Sequence, residues 1–368
     1  MNNDLQKAFF AGKCVAVTGA AGTVGKELIR QLLSLDVAEV IALDNNENAL
    51  FYLSEQYRDE PRMHAFVSDI REYIGLRRFF EGVDYVFHTA ALKHVPSCER
   101  SPLETIETNI QGTSNVVQAA IHAGVKKVLF TSTDKAVNPT NVMGTSKLMA
   151  ERVITSASAL CRAHQDVAFA SSRFGNVLGS AGSVIPLFIE QIKSGKPITL
   201  TDPKMIRFVM TLRSAVDLML ETMRQFKGGE VFVMKMPVVN LKDLADTLIE
   251  AVAPVYGFSP SAIETKIIGS RPGEKLYEEV MTEEEVGRTL EIKDFMVIRP
   301  AFESQFKACE YNYEGGQTLT KDHYKPENQP LLSKEQIFKL LMEEGVLPAE
   351  LRQQIELNVP KKLRLLSA

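Results

Sequence analysis

The stretch CVAVTGAAGTVGKELIRQLLSL, residues 14–35, determines the fold that we predict for this chain. It opens with an apolar run of the kind that forms a buried parallel strand, and it closes with the apolar spacing of a helix. The glycines between them allow a tight turn and let the backbone approach a pyrophosphate, whose charge the start of a helix stabilises. A glycine triplet alone also occurs in turns that bind nothing, but the flanking strand and helix favour a nucleotide site. The stretch therefore predicts a dinucleotide site formed by Gly19, Gly22, Thr23, Val24 and Gly25.

Four further apolar runs follow at intervals that are filled by helical periods. They are VIALD (40–44), YVFHTA (85–90), VLFTST (128–133) and VAFASSRF (167–174). This alternation predicts an α/β fold, a Rossmann-type doubly wound parallel sheet. Beyond about residue 175 the alternation stops and glycine and proline become frequent. We expect a smaller C-terminal α/β substrate-binding lobe there, which covers the carboxyl edge of the sheet.

The predicted organisation has four parts. They are an N-terminal extension (1–12), the dinucleotide-binding Rossmann domain (13–175), the substrate lobe (176–300) and a C-terminal extension (301–368). In the lobe, the stretch 241–252 places its apolar residues on one helical face. Near the end, Ser333 and Gln336 have the spacing of a capping box. The last residues, 358–368, are mildly basic, and we expect them to fray or to contact another subunit.

The composition excludes several classes of protein. With 42 Lys and Arg against 46 Asp and Glu in 368 residues, the net charge of −4 argues against a nucleic-acid or anionic-membrane surface as the main partner. The cysteines form no CxxC pair, and no cluster has metal-ligand spacing, so we expect reduced thiols and no required metal. No window approaches the roughly 18 apolar residues of a membrane helix, and the N-terminus lacks the order of a signal peptide. We therefore expect a cytoplasmic protein without membrane insertion.

An acidic residue at the end of the second run indicates which dinucleotide is bound. Asp44 closes VIALD, where its carboxylate can accept hydrogen bonds from both adenosine ribose hydroxyls and would repel a 2′-phosphate. Asn45 and the residue after it offer no cation for that phosphate, so NAD is favoured over NADP. Asp69 and Ile70 lie in VSDI (67–70), at the end of a further strand between VIALD and YVFHTA, where they can reach the adenine. Both acids also fit a second interpretation as N-caps of the helices that follow them.

Reactive side chains leave the end of VLFTST. Thr133, Asp134 and Lys135 lie at the carboxyl end of a central strand, where open α/β sheets bind their ligands, and Lys147 begins the next helix. A carboxylate beside an amine can move protons to and from a substrate. The alternative is an ordinary charge pair of Asp134 and Lys135 in a surface loop.

A series of longer motifs makes the family recognisable. They are TGxxGxxG (18–25), HTAALKHVP (88–96), STDKAVNPTNVMGTSK (132–147), RFGNVLGSAGSVIP (173–186), TDPKMIRFVMT (201–211) and RPGEKLYEE (271–279). In this order they resemble the extended short-chain dehydrogenase/reductases. Within that superfamily the chain is similar to the UDP-N-acetylglucosamine 4,6-dehydratases of bacterial surface-polysaccharide biosynthesis, over residues 10–295.

One position departs from the wider superfamily. Its usual YxxxK reads here as Met143 to Lys147, so the phenolic acid/base is absent, and a thioether cannot carry a proton. One branch of these dehydratases also has Met at this position and retains the Thr-Asp-Lys triplet. We therefore expect an active enzyme whose proton transfers are carried out by Thr133, Asp134 and Lys135.

The resemblance implies a dehydration that needs no external redox partner. Hydride passes from sugar C4 to NAD, the C5 proton becomes acidic, water leaves C6, and the hydride returns to C6. In this scheme Asp134 protonates the departing C6 hydroxyl, Lys135 removes the C5 proton, and Lys147 binds the nicotinamide ribose. The C4 hydroxyl is deprotonated either by Asp134 through a water molecule or by Thr133, which acts as a proton relay.

The resemblance also assigns contact residues. Ala90, Ala91 and Lys93 are implied to approach the cofactor. The implied UDP-sugar contacts are Lys93, His94, Asn176, Arg207, Arg271 and Glu274. From residue type alone, the same side chains also fit loop packing, surface ion pairing or helix capping.

Several alternatives stay open at this point. The motif NPTNVMG (138–144) favours retention of configuration at C5, whereas the stretch 309–333 resembles C5-inverting dehydratase/5-epimerases. A UDP-sugar C4 epimerase normally depends on the tyrosine that Met143 replaces. A non-catalytic NAD-binding regulator is the alternative outside enzymes. The subunit contacts of the family imply a homo-oligomer.

Overall fold

A computed structural model gives the structure of the chain, and it describes residues 3–161, 166–269, 273–302, 304, 306, 308–319 and 326–358. Arg271, expected at the substrate, and residues 359–368 of the basic tail lie outside the described residues.

The described strands are numbered in chain order. They are β1 (Cys14–Thr18), β2 (Glu39–Asp44), β3 (Met63–Val67), β4 (Tyr85–His88), β5 (Lys127–Thr133), β6 (Ala168–Phe174), β7 (Asn176–Val177), β8 (Ile198–Leu200), β9 (Ile206–Met210), β10 (Val231–Met234), β11 (Val238–Asn240), β12 (Thr265–Ile267), β13 (Thr289–Glu291), β14 (Phe295–Ile298) and β15 (Gln317–Thr318).

The described α-helices are numbered in the same way. They are α1 (Asn3–Phe10), α2 (Thr23–Leu33), α3 (Glu47–Gln56), α4 (Tyr73–Phe79), α5 (Val95–Arg100), α6 (Pro102–Thr105), α7 (Gly112–Ala123), α8 (Val142–Leu160), α9 (Val184–Lys193), α10 (Leu212–Gln225), α11 (Leu241–Val252), α12 (Glu283–Val286), α13 (Lys334–Glu343) and α14 (Ala349–Asn358). A π-helical segment, Ile106–Gln111, joins α6 to α7, and short 3₁₀ turns occur at Asp134–Ala136, Ala253–Tyr256, Pro260–Ala262 and Pro326–Asn328.

A large sheet organises the first part of the chain. Its order is β15-β13-β14-β10-β6-β5-β4-β1-β2-β3. The strands from β10 to β3 pair in parallel, and β13, β14 and β15 add an antiparallel edge. The order 3-2-1-4-5-6 is that of a dinucleotide-binding sheet, and it reverses direction between β1 and β4. The prediction of a Rossmann-type doubly wound parallel sheet is confirmed.

The parallel strands form because their side chains are buried on both faces. Val15, Val86 and Phe169 have no exposed surface, and Phe130 is 1% exposed. Such runs of apolar residues suit central strands that are covered by helices on either side. The third strand, β3, begins at Met63 and is the edge of the sheet.

The chain divides into two compact units, and segments of the two units alternate along the sequence. The first contains the described residues of 1–175, 213–235 and 279–325, and the second those of 176–212, 236–278 and 326–368. The expected contiguous lobe at 176–300 therefore differs from the structure. Because β10 pairs with β6, and β14 with β10, the later part of that range continues the large sheet.

The second unit has its own core and two small sheets. Its sheets are β11-β9-β7 and β12-β8. The apolar face of α11 is buried as its spacing predicts, and Phe188 and Leu248 have no exposed surface. Ser333 and Gln336 form both hydrogen bonds of the predicted capping box at the start of α13.

Both terminal extensions are built into the units. Phe9 of α1 stacks on Tyr85 at the start of β4, with ring centres 4.9 Å apart. Of the C-terminal extension, β15 joins the first unit, whereas α13 joins the core of the second. None of the helices in the described ranges is long and apolar enough to cross a membrane.

Candidate functional site

The glycine-rich turn after β1 is packed so tightly at Gly19 and Gly25 that side chains cannot replace these two glycines. Gly19 has φ +71°, and a Cβ there would lie 2.6 Å from the Ala90 amide nitrogen. A Cβ on Gly25 would lie 2.3 Å from the Gly19 carbonyl oxygen. Gly22 precedes α2 in the N-cap position and supplies no side-chain cap. The first amides of α2 are therefore suited to an anionic group, as the sequence predicts for a pyrophosphate.

Asp44 connects the end of β2 to this turn. Its Oδ2 accepts the Ala21 amide at 2.9 Å, and its Oδ1 accepts the Asn46 amide at 2.9 Å. The cap of α3 is Asn46, whose side chain accepts the Ala49 amide at 3.0 Å. Asp44 is thus not the N-cap, and each carboxylate oxygen retains acceptor capacity for a ribose hydroxyl.

The loop after β3 presents Asp69 beside Asn45. Asp69 is held by Arg71, whose guanidinium lies 2.6 Å from Oδ2, and this contact is the main cause that lowers the pKa of the carboxyl group. Asn45 Nδ2 donates to the same oxygen at 3.3 Å. The N-cap of α4 is Glu72, so the alternative that Asp69 caps this helix is wrong. The carboxylate stays ionised and is fixed next to Ile70.

The loop after β4 lies against the glycine-rich turn. His88, the last residue of β4, is fully buried, and its ring nitrogens contact Thr18 Oγ1 at 2.7 Å and Thr113 Oγ1 at 3.0 Å. Burial is the main cause that lowers the pKa of His88 to about 3, so the ring is neutral. Its role is structural. Lys93 and His94 further along the loop are exposed.

The turn after β5 brings a hydroxyl, a carboxylate and an amine together. Thr133 Oγ1 donates to Asp134 Oδ1 at 2.9 Å, and Lys135 Nζ donates to the same oxygen at 2.9 Å. Asp134 has no exposed surface, and its other oxygen, Oδ2, is buried without a hydrogen-bond partner among the described residues. A buried carboxylate oxygen of this kind is costly unless something else bonds to it. Asp134 therefore keeps unused acceptor capacity at this turn.

The start of α8 packs directly on this turn. A Cβ on Gly144 would lie 2.2 Å from the Lys135 carbonyl oxygen, so the helix and the turn are in backbone contact. Met143, in the position of the missing tyrosine, is 4% exposed. The thioether thus lines the start of the helix as a buried apolar group with no proton to exchange.

Lys147 lies one turn further along α8 and is nearly buried. Its Nζ donates to the Thr131 carbonyl oxygen at 2.8 Å and sits 4.5 Å from the centre of the Phe130 ring. Burial is the main cause that lowers the pKa of Lys147 to about 8, while the Glu151 carboxylate acts in the opposite direction. The ammonium group is therefore fixed at the carboxyl half of β5.

A buried ion cluster holds α8 against β6. Arg173 is 1% exposed, and its guanidinium pairs with both oxygens of Glu151 at 2.9 and 2.7 Å and of Glu285 at 2.8 Å. A further bond reaches the Val280 carbonyl oxygen at 3.1 Å. All five donors of the arginine are used, so the cluster is internally satisfied.

In the second unit, the candidate substrate residues have backbone partners. Arg207 is 8% exposed, and its terminal nitrogens donate to the carbonyl oxygens of Ile206, Lys275 and Leu276 at 2.8 to 3.0 Å. This arginine holds the segment that follows Glu274. Asn176 Nδ2 donates to the Phe208 carbonyl oxygen at 3.0 Å across β7 and β9, so it does not act as a helix cap.

Sequence reasoning missed one residue that connects several parts of the first unit. Asn109, in the π-helical segment, bonds the backbone of Leu92 and the side chain of Ser146. An asparagine within an otherwise helical stretch gives no signal of such a role, because the contacts are far away in sequence. Within the described ranges, no group of three or more His, Cys, Asp or Glu residues is arranged to hold a metal ion.

Comparisons with known proteins agree with this architecture. A family described as "Polysaccharide biosynthesis protein" matches residues 15–300. An uncharacterized membrane protein of Methanocaldococcus jannaschii is 46% identical over 91% of this chain and 97% of its own length. A protein of Rickettsia massiliae named UDP-glucose 4-epimerase is 36% identical over 93% of this chain and 99% of its own length.

Two solved structures extend the comparison. Pen from Bacillus thuringiensis has a TM-score of 0.86 and 41% identity, covering 92% of this chain and 100% of that chain. DesIV, a dTDP-glucose 4,6-dehydratase of Streptomyces venezuelae whose structure contains NAD, has a TM-score of 0.65 and 25% identity, covering 73% of this chain and 88% of that chain.

Proposed function

The chain belongs to the polysaccharide biosynthesis family of extended short-chain dehydrogenase/reductases, and on this basis we propose that it is an NAD-dependent UDP-N-acetylglucosamine 4,6-dehydratase. The coarser assignment is a nucleotide-sugar enzyme of the dehydratase and epimerase type with NAD as its cofactor. The more specific assignment, the 4,6-dehydratase, rests on the Thr133-Asp134-Lys135 turn. The expected product is a UDP-2-acetamido-2,6-dideoxy-4-hexulose with the C5 configuration retained.

The residues of the first unit fit NAD. The glycine turn and the uncapped start of α2 suit the pyrophosphate, and Asp44 has acceptor capacity for the adenosine ribose. Asp69 and Ile70 would contact the adenine, and Lys147 would bind the nicotinamide ribose. Bound NAD supplies the hydride acceptor for sugar C4 and the donor for C6.

The observation that carries the proposal is the unpartnered oxygen of Asp134. Both local donors, Thr133 Oγ1 and Lys135 Nζ, reach Oδ1, so Oδ2 keeps the acceptor capacity that an acid/base carboxylate needs. Epimerisation at C4 needs one acid/base group, whereas dehydration also needs an acid at C6 and a base at C5. Asp134 and Lys135 supply both, which supports dehydration.

The proton transfers can be written so that they balance. The C4 hydroxyl proton passes through Thr133 to Asp134, along the hydrogen bond that joins them. The Lys135 amine takes the C5 proton, and Asp134 returns its proton to the C6 hydroxyl, which leaves as water. Lys135 then protonates C5, so both side chains end in their starting states.

The second candidate is a UDP-sugar C4 epimerase. The name of the Rickettsia massiliae relative favours it. Against it stands Met143, which cannot replace the tyrosine on which such enzymes depend. Lys93, His94, Asn176, Arg271 and Glu274 are proposed substrate contacts under either function, whereas Arg207 is proposed to hold the segment that carries Glu274. The protein is proposed to be a homo-oligomer.

A proton NMR time course in deuterated water tests the proposal. The protein is incubated with NAD and UDP-N-acetylglucosamine, and the expected result is a new C6 methyl signal with deuterium at C5. The C5 couplings then report retention or inversion. Interconversion of C4 epimers without a methyl signal would refute dehydration and favour the epimerase.

Two variants test the residue roles. Asp134→Asn should lower the rate by at least about 100-fold because the acid is lost. Asp59→Asn, an exposed acid in the loop before β3, is the matched control and should keep the wild-type rate. Equal rates for both variants would remove Asp134 from the mechanism.

A further inference from the structure

The residue three positions after Lys135 has an unusual backbone conformation. Asn138 has φ +44°, and among the non-glycine residues of the described ranges only Asp36 shares a positive φ. Residue 139 is a proline, which favours an extended backbone in the residue before it. Asparagine tolerates the left-handed region better than most residues, but such a conformation persists only where the surrounding structure holds it. The contacts of Asn138 therefore show what fixes the end of this turn.

Asn138 is bonded to a distant part of the first unit. Its Nδ2 donates to Glu279 Oε2 at 2.9 Å, across a separation of 141 residues in the sequence. Asn138 is exposed and Glu279 is half-buried. Because packing contributes little to fixing an exposed side chain, a hydrogen bond to a charged carboxylate is the kind of contact that can hold Asn138 in place.

Glu279 is anchored because the next residue bonds to the buried ion cluster. The Val280 carbonyl oxygen accepts a hydrogen bond from Arg173 Nη1 at 3.1 Å, and Val280 is 1% exposed. The same guanidinium pairs with both oxygens of Glu285 at 2.8 Å. The carboxylate of Glu279 is thus presented by a segment that is bonded twice to a buried arginine of β6.

The same arginine holds the helix that carries Lys147. Arg173 pairs with the two oxygens of Glu151 at 2.9 and 2.7 Å. Glu151 follows Lys147 by four residues, which is about one turn of α8. The position of Lys147 along β5 is therefore fixed from the buried ion cluster through one turn of helix.

Two series of contacts thus connect the buried ion cluster to the candidate site. One consists of the turn of α8 that leads to Lys147. The other consists of Glu279 and Asn138 and leads to the turn that carries Asp134. Since this turn and the start of α8 are also in backbone contact, the contacts form a closed ring. A closed ring fixes the position of Asp134 relative to Lys147 only while each of its bonds is intact.

We propose that Asn138 and Glu279 are positioning residues, whose hydrogen bond holds the proton-transferring turn in its working geometry. The turn is that of Asp134 and Lys135, and the geometry is its placement relative to Lys147. Neither positioning side chain is assigned to the substrate, the cofactor or the reacting atoms. This inference rests on the proposed function for its effect on turnover, whereas its effect on the backbone of the turn does not depend on the sugar.

The test breaks the hydrogen bond and then rebuilds it with the donor and the acceptor exchanged. Asn138→Asp places two carboxylates opposite each other and removes the donor, while aspartate tolerates the same backbone region. In the double variant Asn138→Asp with Glu279→Gln, the amide introduced at 279 donates to the carboxylate introduced at 138, and the total charge equals that of wild type. Glu279→Gln alone keeps an acceptor for Asn138 Nδ2 and is the conservative variant.

Two further variants separate the hydrogen bond from other effects. Asn138→Gly removes the side chain but adopts a positive φ without strain, so it isolates the bond from the backbone conformation. Glu279→Ala removes the acceptor. Its matched control is Glu283→Ala, which removes an exposed carboxylate four residues further along the chain, in α12.

Four quantities are measured on the full chain: kcat for dehydration at saturating NAD, the KM of the UDP-sugar, the Kd of NAD by calorimetry, and amide hydrogen exchange in a peptide covering 133–142. Asn138→Asp, Asn138→Gly and Glu279→Ala should lower kcat about tenfold and speed exchange at 133–142. The KM and the Kd should stay within about threefold of wild type, because the bond acts on the placement of the turn. Glu279→Gln, the double variant and Glu283→Ala should keep kcat within about threefold.

Other outcomes overturn the proposal. Wild-type kcat in Asn138→Gly would show that the backbone conformation alone matters, and a double variant as slow as Asn138→Asp would show that the bond is not the cause. Faster exchange throughout the chain, or single variants that fail to fold, would make the pair purely structural. If wild-type protein does not convert UDP-N-acetylglucosamine, the proposed function fails, while exchange at 133–142 in the broken and rebuilt pairs still decides whether this bond holds the turn.

Discussion

His88 provides a quantitative test of how the buried network under the site is built. The ring is fully buried between Thr18 and Thr113, and burial, with a smaller effect of Lys147, lowers its pKa to about 3. In the unfolded chain a histidine titrates near 6.5. Between these two values the unfolded state binds a proton that the folded state does not.

The sign and the size follow from proton linkage. Because the folded pKa is depressed, acidification favours unfolding, and the free energy of unfolding falls as the pH decreases from about 6.5 towards 3. The expected loss attributable to this one group is about 2 kcal/mol between pH 7.5 and pH 5. Above about pH 7.5 the group contributes no pH dependence.

Urea unfolding followed by circular dichroism at pH 7.5 and pH 5 measures this effect in wild type and in His88→Gln. The variant should be less stable at pH 7.5, because the two threonine contacts are disturbed, but it should lose about 2 kcal/mol less than wild type on acidification. His122→Gln on the exposed side of α7 is the matched control and should keep the wild-type pH dependence. An unchanged pH dependence in His88→Gln would refute the buried, neutral histidine.

Three further predictions concern single contacts. Gly144→Ala should destabilise the fold by about 2 kcal/mol or more and reduce turnover, because its Cβ would meet the Lys135 carbonyl oxygen. Thermal unfolding measures the loss of stability, and Gly287→Ala, where a Cβ has room, is the control. Asp44→Asn should weaken NAD binding about tenfold in calorimetry and reduce the preference over NADP, and an unchanged preference would contradict the assigned ribose contact. Tyr313→Phe should lower the free energy of unfolding in urea by about 1–3 kcal/mol, because Glu230, which has no exposed surface, loses a hydroxyl donor. The control Tyr52→Phe, at a side chain that is 70% exposed, should leave the free energy of unfolding unchanged.

Local pattern made much of the fold predictable. The run CVAVT becomes β1, and the glycines after it adopt the turn that their spacing indicates. Both were predictable because buried strands select apolar residues and a positive φ selects glycine. The face of α11 and the capping box of α13 were predictable for the same reason. Each of these features depends on residues that are neighbours in the sequence.

Features that depend on distant partners were not predictable. The extent of the second lobe was wrong because the pairing of β10 with β6 joins residues far apart in the chain. The N-cap of α3 is Asn46 instead of Asp44, since both residue types serve as caps and only the backbone geometry separates them. Arg207 has the residue type of a phosphate ligand, yet its terminal nitrogens donate hydrogen bonds to backbone carbonyl oxygens. No local sequence pattern predicts these bonds.

The repeated crossing of the chain between its two units has a consequence for biosynthesis. Since β15 completes the large sheet and α13 completes the core of the second unit, each unit lacks a structural piece until the C-terminal residues have left the ribosome. Because neither unit is contiguous in sequence, the first unit cannot be completed before the segments of the second unit that interrupt it have been synthesised. Premature stop codons after residue 300, beyond the family match, should yield chains that are degraded instead of shortened enzymes.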